Sequence, residues 1–388
     1  MISLLSKIFI KEANQYDNPK VRRFYGVFCS TLGIILNMVL FGIKIFAGVI
    51  TGSVAIMADA FNNLSDACSS VVTLAGFKFA SRKPDKEHPF GHGRYEYISG
   101  LIVAILIIIM GFELARSSLE KIFYPEPIVA GTTATVILIL SIVIKLYMAM
   151  YNYRIGKKIN SAAMLATGMD SLSDVAATTV VLFAMGFMEV TGINVDGYCG
   201  MLVALFILWA GYQAAKETVS PLLGGRPDEK FIKQIRDVVI SHDKIVGIHD
   251  MIVHDYGPGR VMISLHAEVP GDEDIFQLHE IIDHIEMELE EKLQCDCVIH
   301  MDPIESKNEV VNAMRQGVAE IVRSIDQELS MHDFRMVTGE SRTNLIFDVV
   351  MPQEFNMTEE EICEEVQKRV LEKYPNHYSV IKVEKAYV

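Results

Sequence analysis

The sequence lacks a basic stripe, a disulfide framework and a signature of covalent catalysis. Without clustered Lys and Arg, nucleic acid has no electrostatic footprint to bind, and the net charge of −14 would repel phosphate. The six cysteines, at 29, 68, 199, 295, 297 and 363, show no pairing pattern, and a reducing compartment suits the last three. Cys295-Asp-Cys297 has one intervening residue, which does not match the usual CxxC metal spacing. No GxSxG, Walker A or HExxH pattern occurs, which argues against an enzyme. After Lys7 and Lys11 no apolar run with a small-residue cleavage site follows at signal-peptide spacing.

What is present divides into two halves. Residues 1–219 carry 18 Lys+Arg and 15 Asp+Glu, whereas residues 220–388 carry 17 and 34. The first half is nearly charge-balanced and the second strongly acidic, yet both are rich in Ile, Val, Leu and Met, so neither has the composition of a disordered chain. Before Pro221 six apolar segments can be read, roughly 26–50, 54–79, 97–118, 131–153, 161–189 and 195–215. Each approaches or exceeds the ~20 residues that cross a bilayer. The sequence therefore predicts a six-helix membrane domain over 26–219, preceded by an amphipathic lead-in over 1–25. Basic residues concentrate before the first segment (Lys7, Lys11, Lys20, Arg22, Arg23), between the second and third (Lys78, Arg82, Lys83, Lys86, Arg94) and between the fourth and fifth (Arg154, Lys157, Lys158). The opposite-side connections offer only Arg116 and Lys121. Both termini are thus expected in the cytoplasm, together with the acidic half.

The acidic half reads as a tandem repeat. Residues 220–305 give helix, strand, strand, helix, strand, with Asp255-Tyr-Gly-Pro-Gly-Arg260 as a hairpin turn, and residues 306–388 repeat that order. His249-Asp250 corresponds to His332-Asp333, and Ile281, Ile285 and Leu289 to Ile362, Val366 and Val370. The order predicts a duplicated α+β, ferredoxin-like domain with helices on one face of a small sheet, joined by a linker near 303–308.

Ionisable residues inside membrane segments are expensive and are functional candidates by default. The second segment holds Asp59, Asn62, Asn63 and Asp66, and the fifth holds Asp170 and Asp174. Asn62/Asp66 and Asp170/Asp174 are each spaced i, i+4, so each pair presents two oxygen donors about one turn apart on one face. Two such faces make a four-donor site of Asn62, Asp66, Asp170 and Asp174. Its carboxylates would repel one another at low dielectric unless a divalent cation or protons joined them. Asp59 lies two turns before Asp66, as an extension of the ion path or as a helix-start residue.

These stretches resemble a known family. Ala58-Asp-Ala-Phe-Asn-Asn-Leu-Ser-Asp66, Met169-Asp-Ser-Leu-Ser-Asp174 and His88-Pro-Phe-Gly-His-Gly-Arg-Tyr-Glu96 are similar to motifs of the cation diffusion facilitators, over roughly residues 20–305. The resemblance implies a homodimeric divalent-metal/proton antiporter without a prosthetic group. It implies six membrane helices before a cytosolic ferredoxin-like domain, set in a bacterial inner membrane. The family's transport site lies at the paired donors of the second and fifth helices. Zinc members usually carry His at the first donor position of the fifth helix, where this chain has Asp170, and none of the six segments contains His. An all-oxygen set favours hard cations such as Mn²⁺, so the pattern resembles the manganese-type branch, with Fe²⁺ and Zn²⁺ left open.

The resemblance implies two further metal sites. Asp85, His88 and His92 match the family's loop site. His249, His279, His300 and Asp302 match a regulatory site between protomers. His254, His266 and His284 are expected to be bystanders. In the second repeat, Lys382 and Glu384 stand where the first has His300 and Asp302, and Glu360 stands at the His279 position, so no equivalent site is expected there. A membrane-anchored metal sensor remains as a reading of another class, although an anchor has no need of intramembrane carboxylate pairs.

Overall fold

The structure, a computed structural model, describes residues 16, 18–51, 54–124, 132–191, 195–339 and 342–386. Lys7, Lys11 and most of the expected lead-in lie outside the described residues, as does the side chain of Asp59. The chain divides into two units: Met1–Gly225 with Asp255–Arg260, and Arg226–His254 with Val261–Val388.

The first unit contains six long helices: α1 (Pro19–Thr51), α2 (Val54–Ala80), α3 (Tyr95–Phe123), α4 (Thr132–Lys158), α5 (Ala162–Thr191) and α6 (Asp196–Leu222). Among the described residues, five stretches within them are long and apolar enough to cross a membrane, namely Lys20–Ala47, Tyr95–Phe123, Thr135–Lys158, Ala162–Met188 and Gly197–Leu222. The helix outside that set, α2, carries Asn62, Asn63, Ser65, Asp66, Ser69 and Ser70 in close succession. Large apolar side chains point outward all along the other helices, including Phe46, Ile109, Phe112, Val143, Phe183, Leu202 and Trp209. A surface so apolar suits hydrocarbon rather than water.

Small residues set the close approaches between helices. A methyl group on Gly100 would press on Ala163 and Thr218, and one on Gly211 on Ile108. Polar pins reinforce them. Arg22 of α1 donates to both carboxylate oxygens of Glu96 (2.5 and 2.7 Å) and to the carbonyls of Ile159 and Asn160. Glu96 is fully buried, and this two-pronged partner meets both of its oxygens. The turn Asp255–Arg260 belongs to this unit: Tyr97 donates to Asp255 (2.7 Å), Arg94 donates to the Asp255 carbonyl, and the Phe90 and Tyr256 rings stack 4.5 Å apart. Gly93 and Gly257 meet backbone to backbone there, leaving no room for a side chain on either. Pro221 sits in the last turn of α6, and Gly224 at φ 76° turns the chain away from the helix.

The second unit comprises two α/β modules. The first is α7 (Glu229–Ile240), β1 (Gly247–Asp255), β2 (Val261–Pro270), α8 (Ile275–Leu293) and β3 (Cys295–Ile304). The second is α9 (Glu309–Ile325), β4 (Ser330–Thr338), β5 (Thr343–Met351), α10 (Glu359–Lys373) and β6 (His377–Lys385). Their sheets run β1-β2-β3 and β4-β5-β6, with β2/β3 and β5/β6 parallel. Side-chain caps start the helices: Asp228, Asp274 and Asn308 accept backbone N–H groups, and Thr358 with Glu361 forms a reciprocal capping box. Strict alternation buries Ile263, Leu265, Ala267 and Val269 of β2 against Leu278, Ile282, Ile285 and Leu289 of α8. In the second module Leu345, Phe347, Val349 and Met351 meet Ile362, Val366 and Val370 in the same way.

Candidate metal-binding sites

Helix α2 buries Asn63, Asp66, Ala67, Ser70 and Thr73 along one arc. Asn62 lies a further 100° step round the helix from Asn63, as ideal helix geometry dictates, and its side chain is exposed. Of the expected four-donor set, Asp66 is buried, while Asn62, on the same flank of Asp66 as the buried Ser69 and Thr73, is exposed. On α5, Asp170, Ser171, Ser173 and Asp174 are all buried. The two helices are tied where the Thr73 and Thr167 hydroxyls meet at 2.8 Å.

Between the acids stands a residue that the donor pattern did not single out. Lys145 of α4 is buried, and its ammonium donates to Asp66 (2.6 Å) and to Asp174 (2.7 Å). Asp170 is close enough to interact electrostatically with Asp66, Asp174 and Lys145, and its Oδ1 is buried without a hydrogen bond. Lys44 of α1, also buried, acts on Asp66 from a greater remove. The three carboxylates do not close into a common cage. Among the described residues, donor trios within 4.8 Å of one another occur elsewhere in the chain. Lys145 occupies the centre and supplies the opposing charge that carboxylates at low dielectric require. A sequence signal existed, since Lys145 is the lone charge in the apolar stretch Ala130–Met150.

The loop residues do come together. Asp85 lies 3.4 Å from both His88 Nδ1 and His92 Nε2, and the two imidazoles are 4.6 Å apart. The backbone N–H groups of His88 and Glu87 donate to Asp85 and hold its carboxyl below the usual range. Gly91, at φ 82°, permits the turn that returns the chain to His92.

In the second unit the expected four-residue set is partly assembled. Asp302 lies 3.2 Å from His249 Nε2 and 3.3 Å from His300 Nε2. Within the one chain His279 stands apart from the others: exposed on α8, it faces Asp283 one turn along at 3.3 Å, and the expected site lay between protomers. His266, expected to be a bystander, contacts Asp302 at 2.8 Å and belongs to the cluster. The reason is sheet register, because the parallel β2/β3 pairing sets His266 opposite His300, with Asp302 two residues on along the same face. In the second module His332, Asp348 and Glu384 also gather within 4.8 Å, a donor group beside the Lys382 that argued against an equivalent site there. Lys382 does not displace Glu384 from the group but pairs with it as a neighbour. Burial pushes the Asp348 carboxyl above its ordinary range.

Comparison with known proteins follows the same division. The family described as "Cation efflux transmembrane domain" matches residues 30–223, and "Cation efflux protein, cytoplasmic domain" matches both 227–304 and 311–386. An uncharacterized transporter of Methanocaldococcus jannaschii is 32% identical over 250 residues, covering 64% of this chain and 88% of the relative. The manganese efflux system protein MneS of Bacillus subtilis is 29% identical over 284 residues, covering 71% and 95%. The cation-efflux pump FieF of Klebsiella pneumoniae is 29% identical over 280 residues, covering 72% and 91%.

Proposed function

The chain belongs to the cation efflux, or cation diffusion facilitator, family, and from that premise we propose that it exports Mn²⁺ in exchange for protons. The observation that carries the proposal is the buried group of Asp66, Asp170 and Asp174 around Lys145. Every anionic donor in it is a carboxylate, the ligand class that suits Mn²⁺ over softer ions. A relative named for manganese efflux supports the same choice.

In this reading α2 is the sixth span, and its polar residues are the reason it is less apolar than the rest. Mn²⁺ arriving from the cytoplasm takes the place of the Lys145 ammonium between Asp66 and Asp174, and Asp170 completes the oxygen donors. Rearrangement of the helices then opens the group to the far side. Protons arriving there neutralise the carboxylates and release the ion, and Lys145 closes the empty site for the return. The protein works as a homodimer in a bacterial plasma membrane, with both termini and the second unit in the cytoplasm. That unit is a duplicated ferredoxin-like domain. Asp85, His88 and His92 hold an accessory ion, and His249, His266, His300 and Asp302 hold a regulatory one.

Cells lacking their own exporters provide the test. Challenged separately with Mn²⁺, Fe²⁺, Zn²⁺ and Co²⁺, cells expressing the protein are expected to gain protection chiefly against Mn²⁺, and Asp170→Ala and Asp174→Ala to abolish it. Protection against Zn²⁺ or Fe²⁺ alone would replace the manganese assignment, and undiminished protection by both variants would displace the site.

A further inference from the structure

The two modules of the second unit meet through a pair of imidazoles. His249 of β1 and His332 of β4 stack at 4.1 Å between ring centroids, with 21° between their planes. The residues that follow them cross over. Asp250 Oδ1 lies 3.7 Å from His332 Nε2, and Asp333 Oδ1 lies 4.0 Å from His249 Nε2. Each His thus faces the Asp of the other module, the reciprocal pattern of a two-fold interface formed within one chain. Asp250 and Asp333 share left-handed backbone, at φ 49° and 55°.

The seam is poorly satisfied as it stands. The His249 and His332 side chains are only 8% and 5% exposed. None of their four ring nitrogens makes a hydrogen bond. Buried polar atoms without partners are rare and costly. Stacked, desolvated imidazoles also gain nothing from each other as donors. The facing carboxylate oxygens of the other module lie beyond hydrogen-bond distance, but at separations suited to ligands of one ion. His249 Nδ1 is 3.4 Å from Asp250, and His249, Asp250 and His332 all offer atoms within 4.8 Å of one another. For bonds of about 2.0–2.2 Å, a tetrahedral ion sets its ligands about 3.3–3.6 Å apart.

We propose that a divalent transition-metal ion binds at this seam in cis, held by His249 and Asp250 of the first module and His332 of the second. Asp333 supplies the fourth donor. Two imidazoles with carboxylates favour a borderline ion such as Zn²⁺, unlike the all-oxygen group of the membrane helices. The ion locks the two modules together and makes the second a structural part of the first module's cluster. A neutral imidazole has one free lone pair, so a His249 engaged at the seam leaves His266, His300 and Asp302 to hold the neighbouring ion.

Equilibrium dialysis of the purified full-length chain in detergent against Zn²⁺, read by elemental analysis, tests this. Wild type is expected to hold one more tightly bound Zn²⁺ per chain than His332→Ala or Asp250→Asn, with the melting temperature raised by Zn²⁺ less in the variants. His300→Ala is expected to keep the seam ion, and so is Asp170→Ala, so the result stands apart from the manganese assignment. Asp250→Asn keeps the shape of the seam and guards against loss of metal through misfolding. Equal Zn²⁺ retention by wild type, His332→Ala and Asp250→Asn would overturn the proposal.

Discussion

The two units treat clustered ligands in opposite ways. Among the helices of the first, Asp66 and Asp174 are gripped by an internal ammonium. In the second, the His249 and His332 side chains are almost fully covered and none of their ring nitrogens makes a hydrogen bond. The difference follows from charge and medium. Ionised carboxylates among apolar helices repel strongly, and the fold needs a counter-cation even before a metal arrives. The imidazole pair stands among carboxylates of opposite potential charge, and its cost is that of unmade hydrogen bonds. One cluster has to exchange its cation, while the other has only to accept one.

The largest expected effect is at Lys145. Lys145→Met leaves Asp66 and Asp174 buried without their partner and is expected to destabilise the metal-free protein by roughly 3–5 kcal/mol, the usual consequence of breaking a buried pair. Thermal unfolding in detergent with and without Mn²⁺ checks it. The deficit should shrink when Mn²⁺ is present, and a deficit indifferent to Mn²⁺ would make the ammonium a mere structural strut.

Next comes Asp170→His, which brings an imidazole into the oxygen group. Vesicle uptake under an imposed proton gradient should move toward Zn²⁺ relative to Mn²⁺. An unchanged preference would mean that ligand type at this position does not separate the two units' chemistry.

In the second unit His300→Ala removes a ligand and should weaken binding at the Asp302 cluster by at least the roughly 10–100-fold that losing a mere supporting partner costs. His279→Ala should leave it unaltered, and isothermal titration with Zn²⁺ distinguishes the two. An equal loss from His279→Ala would restore His279 as a ligand.

The smallest effect is chemical. Burial pushes the Cys295 thiol up to about 11 and Cys297 to about 12. Both are protonated at neutral pH, and a thiol reacts only as thiolate. Maleimide should label neither in the native protein at pH 7, and mass spectrometry of the labelled chain reads this directly. Rapid labelling of both would mean that the first module opens far more readily than its buried β3 implies.

The architecture was legible because it rests on periodicity and composition. Each apolar segment became one of α1 to α6, with ends that differ by up to about seven residues. The α-β-β-α-β order in each half of the polar unit followed from strand alternation and turn chemistry, and Asp255–Arg260 formed the expected turn. The grouping of Asp85, His88 and His92 was expected from the family resemblance, and these residues meet because one short loop carries all three. For Asn62, spacing from Asp66 fixes a shared flank of α2 but not how far the neighbouring helices cover that flank at its level. His266 was passed over because its partner Asp302 is 36 residues away, and only strand register joins them.

The sequence by itself determined that buried acids would lie on the second and fifth helices, that imidazoles would be kept out of the membrane, and that the polar half would carry two α/β orders in succession. These are properties of composition and local spacing, which the chain carries before it folds. Only the tertiary structure decided that Lys145 sits between Asp66 and Asp174, and that His249 meets His332 across two modules. Both juxtapositions join residues far apart in sequence, and they depend on how helices and sheets pack, which no single element's periodicity encodes.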